Sequence, residues 1–595
     1  MSRGWTWRRP EGEPPRELSD AAAAQASGHA ALVARLLWNR GVERGGDAAD
    51  FLRPTLAQGL RPPTLMHDLS RAAGRLADAV GRHERVAVYG DYDVDGVTGA
   101  AQLLLALREL GAEPLLHVAH REREGYGLNA DVLRRLRAEG ARVVVTADLG
   151  TSNVAELALA EELGLDVIVC DHHHAPDVRP PAWALLNPLQ PGCEFPFKGL
   201  SGAGVVFYLL MGLRMELRAR GHVVLPELRR YLDLVALGTV ADVVPLREEN
   251  RVLVAHGLRE IDRTMRPGLQ ALKESALVDR ASVRAIGFRL GPRLNAGGRL
   301  ADARIAVEAL TTADVDRARA LVAELEMHNA ERRTIEDRMV REAVAQVESG
   351  GEPGAAIVAA SETFHHGVVG IVAARLAERF HRPSLVVALE GEKGRGSGRT
   401  VDGLHLLEHL RACADLLEGF GGHRQAVGFR MHPSSVDALR RRFEESVAAA
   451  GTPTSARPPI EVDAEVSLAQ VTPAFARALA LLEPHGPGNP EPRLLARGVR
   501  VDGVRLVGDP SAPHLKLRLR EGGRTLPAIA FRMGGLPVRS GDRLDVVFTP
   551  RLGSWQGVER TEVEVVGLWP EVPLDSRQGP DNSGESAILD RPGRA

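Results

Sequence analysis

Three β-branched runs in the first third of the chain constrain its fold more than anything else in it: Arg85–Tyr89 (RVAVY), Arg142–Thr146 (RVVVT) and Asp166–Cys170 (DVIVC). They are apolar at successive positions rather than at alternate ones. That pattern requires burial on both faces, the condition of a strand inside a parallel sheet covered by helices. A further strand ends near His117, and the Ala/Leu-rich stretches Gly99–Leu110 and Asn153–Leu163 have the length of helical crossovers. The fold class is therefore α/β. In open sheets of this kind the site lies just beyond the carboxyl ends of the strands. The three runs lead directly into Gly-Asp91-Tyr-Asp93-Val-Asp95-Gly, Ala-Asp148-Leu-Gly150 and Asp171-His172-His173-His174. Three strand ends thus deliver oxygen and nitrogen ligands to one edge, a place for two divalent ions.

Blander readings compete with this one. A calcium-binding EF-hand needs a carboxylate at the twelfth loop position, where this chain has Gln102, and a helix rather than a strand before the loop. One of the three aspartates could cap a helix beginning near Thr98, but three alternating carboxylates repel unless cations hold them. Asp148 alone is weak evidence, because Asp after a strand often caps the next helix. His172 and His173 are stronger, since imidazole is the commonest transition-metal ligand, although surface loop histidines remain an alternative. Asp242 lies between Val240 and Val243, so it is a partly buried carboxylate in need of a partner. Asp233, beside Arg229, Arg230 and Tyr231, reads instead as a helix-surface ion pair.

At 595 residues the chain exceeds what one core supports, and three or four domains are expected. A helix is expected over Ala21–Trp38, and helical segments over Gly199–Leu217 and Pro226–Leu237. Residues from Ile305 to Val347 are nearly free of Gly and Pro and read as one long helix. Strands at Ala355–Ala360 and Ser384–Leu389 around a helix at Val369–Phe380 indicate a second α/β domain. Gly451–Pro459 reads as a linker. Beyond it, Gly498–Val507, His514–Arg520, Thr525–Phe531, Arg543–Thr549 and Thr561–Leu568 are five short strands with Gly-rich turns, the pattern of an OB-like barrel. The polar end, Ser576–Ala595, reads as disordered. The expected boundaries are an N-terminal extension at 1–67, the catalytic domain at 68–270 and a helical connector at 271–350. A second α/β domain at 351–455, a barrel at 456–570 and a tail at 571–595 complete the chain.

Three cysteines, Cys170, Cys193 and Cys413, make a disulfide framework untenable and point to the cytoplasm. The opening residues lack the apolar core of a secretory signal, and no apolar run is long enough to span a bilayer, so no membrane partner is expected. With 75 Lys+Arg against 78 Asp+Glu, global charge neither announces nor excludes a nucleic-acid partner.

The order GDYDVDG, TADLG, VCDHH and GTVADVVPL resembles the four motifs of the DHH phosphoesterases, in the variety of the RecJ single-strand-specific exonucleases. The likeness continues in HREREGYGLN (His120–Asn129), LSGAGVVF (Leu200–Phe207), FRLGPRLNAGGRL (Phe288–Leu300), HHGVVGIVAARLAER (His365–Arg379), GSGR (Gly396–Arg399), FGGHRQAVG (Phe420–Gly428) and PHGPGNPEP (Pro484–Pro492). It spans Gly41 to Trp569. The resemblance implies a DHH parallel-sheet domain, a long connecting helix, an α/β DHH-associated domain and a C-terminal OB-like β-barrel. It implies Asp91, Asp93, Asp95, Asp148, His172, His173 and Asp242 as metal ligands, Asp91 either ligating or supporting, with His423 facing the scissile phosphate. It also implies Arg121, Arg293, Asn295, Arg299, Ser397, Arg399, Gly421, Gly422 and His423 as contacts to DNA or a 5′-phosphate. Arg399 and Ser397, in a Gly-rich loop, suit a terminal phosphate through a guanidinium fork and a hydroxyl. Leu149 stands where Asn or Cys is usual, Gly297 where Ala is common, and His365-His366 in place of Trp-His-Pro.

The expected activity is hydrolysis of single-stranded DNA from the 5′ end to nucleoside 5′-monophosphates, in DNA repair and recombination. Two divalent metal ions are expected, manganese preferred over magnesium because imidazole ligands suit later, softer ions. Single-strand-binding protein and a repair helicase are the expected protein partners of a monomer. Two rival activities are less consistent with the chain. A phosphodiesterase for short oligonucleotides or cyclic dinucleotides would not need the barrel. A non-catalytic DNA clamp would have lost ligands, and here every motif ligand is present.

Overall fold

The structure, a computed structural model, describes residues 4–8, 12–26, 28–121, 123–401, 403–451, 459–510, 513–555 and 558–570. Most of the 451–459 linker and all of the 571–595 tail lie outside them. Two compact units result, one comprising 1–49, 333–481 and 491–595, the other 50–332 with 482–490.

In the second of these units a five-stranded parallel sheet runs in the order Leu115–Val118, Arg85–Gly90, Ala141–Ala147, Asp166–Cys170, Ala184–Leu186. The three runs read from the sequence are its central strands, and both faces are covered. Val86, Val88, Val143 and Val145 enter one apolar core, while Ala87, Tyr89, Val144 and Val167 enter the other. The first crossover helix spans Val94–Glu109 and begins five residues before the expected start. Asp93 is its N-cap, accepting from the backbone N–H groups of Asp95 and Gly96 at 2.9 and 3.1 Å. The helices Gly202–Ala219 and Leu232–Ala241 pack beside it. Asp233 is not the surface ion pair expected: it is buried, and the Nε of Arg266 donates to it at 2.8 Å.

Two expected helices are each broken in two. Ala21–Trp38 is Arg16–Ala23 followed by Ala30–Trp38, the chain turning at Gly28 with φ +79°. Ile305–Val347 is Arg304–Thr311 followed by a 35-residue helix, Val315–Ser349. Thr312 is extended, and the Asp314 carboxylate restarts the helix by accepting from Asp316 and Arg317 backbone N–H groups.

The other unit holds two sheets with their own cores. One runs Gly419–Gly422, Ala426–Met431, Lys393–Arg399, Ser384–Glu390, Ile357–Ser361, with the helix Val369–Phe380 against it. GSGR is therefore strand rather than the Gly-rich loop expected. The strand hides in its own glycines. A Cβ at Gly396 would lie 2.1 Å from the Phe429 ring, one at Gly398 2.4 Å from Leu385, and one at Gly394 3.0 Å from Met431. These glycines let the neighbouring side chains lie flat over the strand. The second sheet is a closed barrel of Leu494–Val507, His514–Glu521, Arg524–Ala530, Val558–Pro570 and Arg543–Trp555, the last pairing back to the first. Trp5–Trp7 adds a strand parallel to Ile460–Val462, so the amino terminus belongs to the barrel side of this unit.

Gly396→Ala should overpack the Phe429 side of the sheet and cost about 1–3 kcal/mol. Thermal denaturation checks this; an unchanged melting temperature would mean that the Phe429 ring is free to move away.

Candidate metal centre

Seven side chains expected as ligands come together at the carboxyl edge of the parallel sheet. Potential ligand atoms of Asp148, His172 and His173 lie within 4.8 Å of one another, as do those of Asp95, His172 and Asp242, and those of Asp91, Asp93 and Asp148. The sets share Asp148 and His172, so they form one continuous cluster. His172 is central: its Nε2 stands 3.1 Å from Asp148 Oδ1, 3.4 Å from Asp242 Oδ2 and 3.8 Å from Asp95 Oδ2.

Each side chain is placed by its element. Asp91 and Asp93 leave the Arg85–Gly90 strand before the first crossover helix. Asp95 lies in that helix and is held across the site by the N-terminus of Gly202–Ala219, whose Gly202 and Ala203 N–H groups donate to its two oxygens at 2.6 and 2.9 Å. Asp148 follows its strand with φ +67°, a backbone region that only Gly, Asn and Asp visit readily. Its N–H donates to the carbonyl of Cys170 at 2.9 Å. Asp242 ends the helix Leu232–Ala241. The packing leaves no room for side chains at Gly202 and Gly238, where a Cβ would lie 2.7 Å from that of Asp148 and 2.6 Å from Asp95 Oδ1 respectively.

Two residues to which the sequence assigns no role of their own, Asp171 and Tyr126, organise the histidines. Asp171 Oδ1 accepts from the backbone N–H groups of His172 and His173 and lies 2.7 Å from His173 Nδ1. Its other oxygen accepts from Thr151 N–H. The Tyr126 hydroxyl donates to the Asp148 carbonyl at 3.2 Å and lies 2.9 Å from His173 Nδ1. The Asp before the two histidines was visible in the sequence. Nothing at sequence level ties Tyr126 to them.

The electrostatics of the cluster favour bound cations. Burial, reinforced by neighbouring carboxylates, lifts Asp91 and Asp148 well above the usual carboxylate range, Asp95 to about 7 and Asp242 to about 9. Burial and the His173 charge bring His172 down to about 4, leaving its ring neutral, the form that ligates. Burial also opposes the charged form of His173, but Asp171 outweighs it and raises that ring to about 9. Asp91 Oδ1 is buried with no hydrogen-bond partner among the described residues, and Asp148 Oδ1 and His172 Nε2, though 3.1 Å apart, are buried without a hydrogen bond to each other or to another described group. Orphaned ligand atoms amid mutually repelling carboxylates fit a divalent cation, which would replace the protons.

The remaining expected contacts divide between the units. Beside the cluster, Arg121 stacks its guanidinium 4.2 Å from the Tyr92 ring centre, and its Nε is buried without a partner among the described residues. Arg293 is engaged within the unit, by Glu326 and the Arg289 carbonyl. Asn295 spends its side-chain carbonyl on the Val94 N–H at 3.2 Å, bracing the Asp93–Asp95 turn. Gly298, one residue before Arg299, sits so close to Tyr92 that a Cβ would lie 2.3 Å from its carbonyl. Leu149 is buried in the apolar core, so that slot offers packing, not a side-chain hydrogen bond. In the other unit, Arg399 Nη1 donates to Ser397 Oγ at 3.1 Å, and a Cβ at Gly370, in the first turn of Val369–Phe380, would lie 3.3 Å from Arg399 Nη2. Gly421 and Gly428 lie in register with Ser397 and face open space. His423 is exposed at the turn of that hairpin rather than in a core.

A parallel sheet whose edge gathers aspartates and an Asp-His-His run into such a cluster has the ligand set of a divalent-metal site. Family profiles give the class: the DHH family N-terminal domain matches residues 85–239, the DHHA1 domain 340–449 and the RecJ OB domain 462–567. The single-stranded-DNA-specific exonuclease RecJ of Dickeya dadantii is 37% identical over 587 residues, covering 95% of this chain and 98% of that protein. RecJ of Bacillus subtilis is 35% identical over 567 residues, covering 94% and 70%. The crystal structure of RecJ from Thermus thermophilus in complex with Mn2+ superimposes with a TM-score of 0.79 at 33% identity, covering 95% of this chain and 80% of that one. The chain belongs to the RecJ family.

The metal-free fold keeps protons on Asp91, Asp95, Asp148 and Asp242 that an unfolded chain releases near pH 4, so its stability should fall as pH rises through 7 towards 9. Manganese at a hundred times its Kd should restore about 2.7 kcal/mol. Asp148→Asn keeps a residue that tolerates the φ of +67° but removes a ligand charge, and it should abolish the gain. Melting temperatures at pH 6 and 9, with and without Mn2+, check this; an equal gain in the variant would remove Asp148 from the site.

Proposed function

We propose that this chain is a metal-dependent exonuclease that degrades single-stranded DNA from the 5′ end and releases nucleoside 5′-monophosphates, in DNA repair and recombination. The observation that carries the reading is the cluster of Asp91, Asp93, Asp95, Asp148, His172, His173 and Asp242 with its orphaned ligand atoms. Its overlapping ligand sets suit two ions, manganese in preference to magnesium. Bound there, the cations would activate water and stabilise the charge developing on the phosphate. The chain's own groups do the rest. Asp171 and Tyr126 hold His173 in one orientation, and the amino end of Gly202–Ala219 fixes Asp95. Arg121, backed by Tyr92, takes a strand phosphate beside the cluster through the donor the fold leaves open.

Ser397 and Arg399, at the first turn of Val369–Phe380, make a second anion site, suited to a terminal phosphate by a guanidinium, a hydroxyl and a helix N-terminus together. The glycine row at Gly421 and Gly428 leaves a side-chain-free floor next to it. On the barrel, Lys516, Arg518 and Arg520 are exposed at alternate positions, with Arg500 and Arg505 in register beside them. Such a face tracks a phosphate backbone without reading sequence. Phe531, half-exposed and edge-on to His514 at 5.2 Å, is a stacking surface beyond the end of the same hairpin. No helix among the described residues is long and apolar enough to cross a membrane. A cytoplasmic monomer working with single-strand-binding protein and a repair helicase completes the proposal, with the domain boundaries as stated under Sequence analysis.

End-labelled single strands of both polarities test the activity: label should leave the 5′ end first as mononucleotide, and not with Asp148→Asn. Arg399→Ala should lose the preference for 5′-phosphorylated over 5′-hydroxyl ends, at a cost of about 2–4 kcal/mol on the phosphorylated strand alone. An unchanged preference would place terminal-phosphate recognition elsewhere. Replacing Lys516, Arg518 and Arg520 together by Ala should leave cleavage of very short oligonucleotides intact. It should also lower binding to long strands and flatten its salt dependence. Equal affinity at moderate salt would take the barrel out of the DNA path.

A further inference from the structure

Arg121 and Tyr126 both reach the metal centre from one loop, the connection from the strand Leu115–Val118 to the helix Ala130–Ala138. A loop that must present a guanidinium to within hydrogen-bond distance of a phosphate needs a rigid anchor, and its glycines, Gly125 and Gly127 with φ +81° and +100°, supply none. The anchor is a set of hydrogen bonds that includes none of the candidate metal ligands. The guanidinium of Arg135 donates from Nη2 to His117 Nδ1 at 2.9 Å. An arginine has only donors, so Nδ1 must be the accepting nitrogen and the proton of a neutral ring sits on Nε2. His117 Nε2 therefore donates to Glu124 Oε2, 2.9 Å away, and that same oxygen accepts from the His120 backbone N–H at 3.3 Å. The ring is nearly buried, edge-on to Tyr89 at 4.6 Å, and burial lowers its pKa, consistent with the neutral form. The relay Arg135–His117–Glu124 thus ends on the residue immediately before Arg121.

We propose that His117 and Glu124 are positioning residues for the nuclease reaction: their hydrogen bond, carried to the His120 backbone, holds Arg121 so that it meets the strand phosphate without reorganisation. The inference rests on the reading of Arg121 as a phosphate contact. Neither residue touches the substrate. Their effect is to remove the ordering cost that a mobile Arg121 would meet on binding, so it appears in KM rather than in kcat.

The test uses the full chain with Mn2+ and a short 5′-phosphorylated oligonucleotide. Arg121→Ala should raise KM at least tenfold. His117→Ala and Glu124→Gln should each raise it about three- to tenfold with kcat within twofold, and with the Mn2+-induced rise in melting temperature intact. His117→Gln, whose amide accepts from Arg135 through oxygen and donates to Glu124 through nitrogen, should restore KM to within twofold of the parent. The double variant of Arg121→Ala with His117→Ala should be no worse than Arg121→Ala alone, because the relay acts only through that arginine. Amide hydrogen exchange across 119–129 should quicken in His117→Ala and not in His117→Gln. A raised KM for Arg121→Ala with none for His117→Ala overturns the relay alone, as do multiplicative effects in the double variant or a fall in kcat at unchanged KM. No rise for Arg121→Ala overturns the reading of Arg121 and the relay with it.

Discussion

Carboxylates packed together out of water repel one another, and no arrangement of the surrounding backbone removes that repulsion. At the carboxyl edge of the parallel sheet, backbone donors neutralise part of it. Gly202 and Ala203 N–H groups hold Asp95, the Asp95 and Gly96 N–H groups hold one oxygen of Asp93, and three backbone donors with His173 hold Asp171. Asp148 and Asp91 keep buried oxygens that nothing among the described residues satisfies. The imbalance is the functional device. A site that was electrically complete without cations would have little affinity for them.

The scaffold accommodates this tension through close approach. Gly96, Gly202 and Gly238 stand where a methyl group would collide with Asp91, Asp148 and Asp95 respectively, so helices and strands converge on the ligands without intervening side chains. Asn295 and Gly298 extend the same support from a helix far along the chain, one by accepting from Val94 and the other by lying against the Tyr92 carbonyl. Asp148 takes its positive φ at the point where the ligand sets overlap, a backbone conformation that favours Asp over bulkier side chains.

The central strands, and the gathering of aspartates and histidines at their ends, are legible in the sequence because burial on both faces leaves an unbroken β-branched run, and chain direction then says where the next residues go. The strand Lys393–Arg399 was not legible, since its alternating glycines carry no strand signature. They are required by Phe429, Leu385 and Met431, which no local rule connects to them. The breaks at Gly28 and Thr312 are hidden for another reason: helix-favouring composition around them outweighs one positive φ and one capping Asp314. Arg293 and Asn295 are expected from the sequence as DNA contacts, and nothing local in the sequence shows their partners within the fold. The structure commits Arg293 to Glu326 and the carbonyl of Asn295 to a backbone amide, roles that depend on tertiary neighbours.

A formal charge of -3 at first argues neither for nor against a polyanionic substrate. Net charge sums over surfaces that a bound strand never meets, and screening limits each group's reach to roughly 10 Å at moderate salt. The relevant quantity is local. Along the barrel, Arg500, Arg505, Lys516, Arg518 and Arg520 share one face, and Asp502 pairs only weakly with two of them, at 3.6 and 3.7 Å. Beside the cluster, the charges of Arg121 and His173 oppose the upward shift of Asp91, one of the carboxylates that would themselves repel DNA. Cations, bound or built in, must therefore reverse the sign of the potential at the metal centre before a phosphate can approach. That requirement ties substrate binding to metal binding, and it explains why an acidic cluster can serve an anionic substrate.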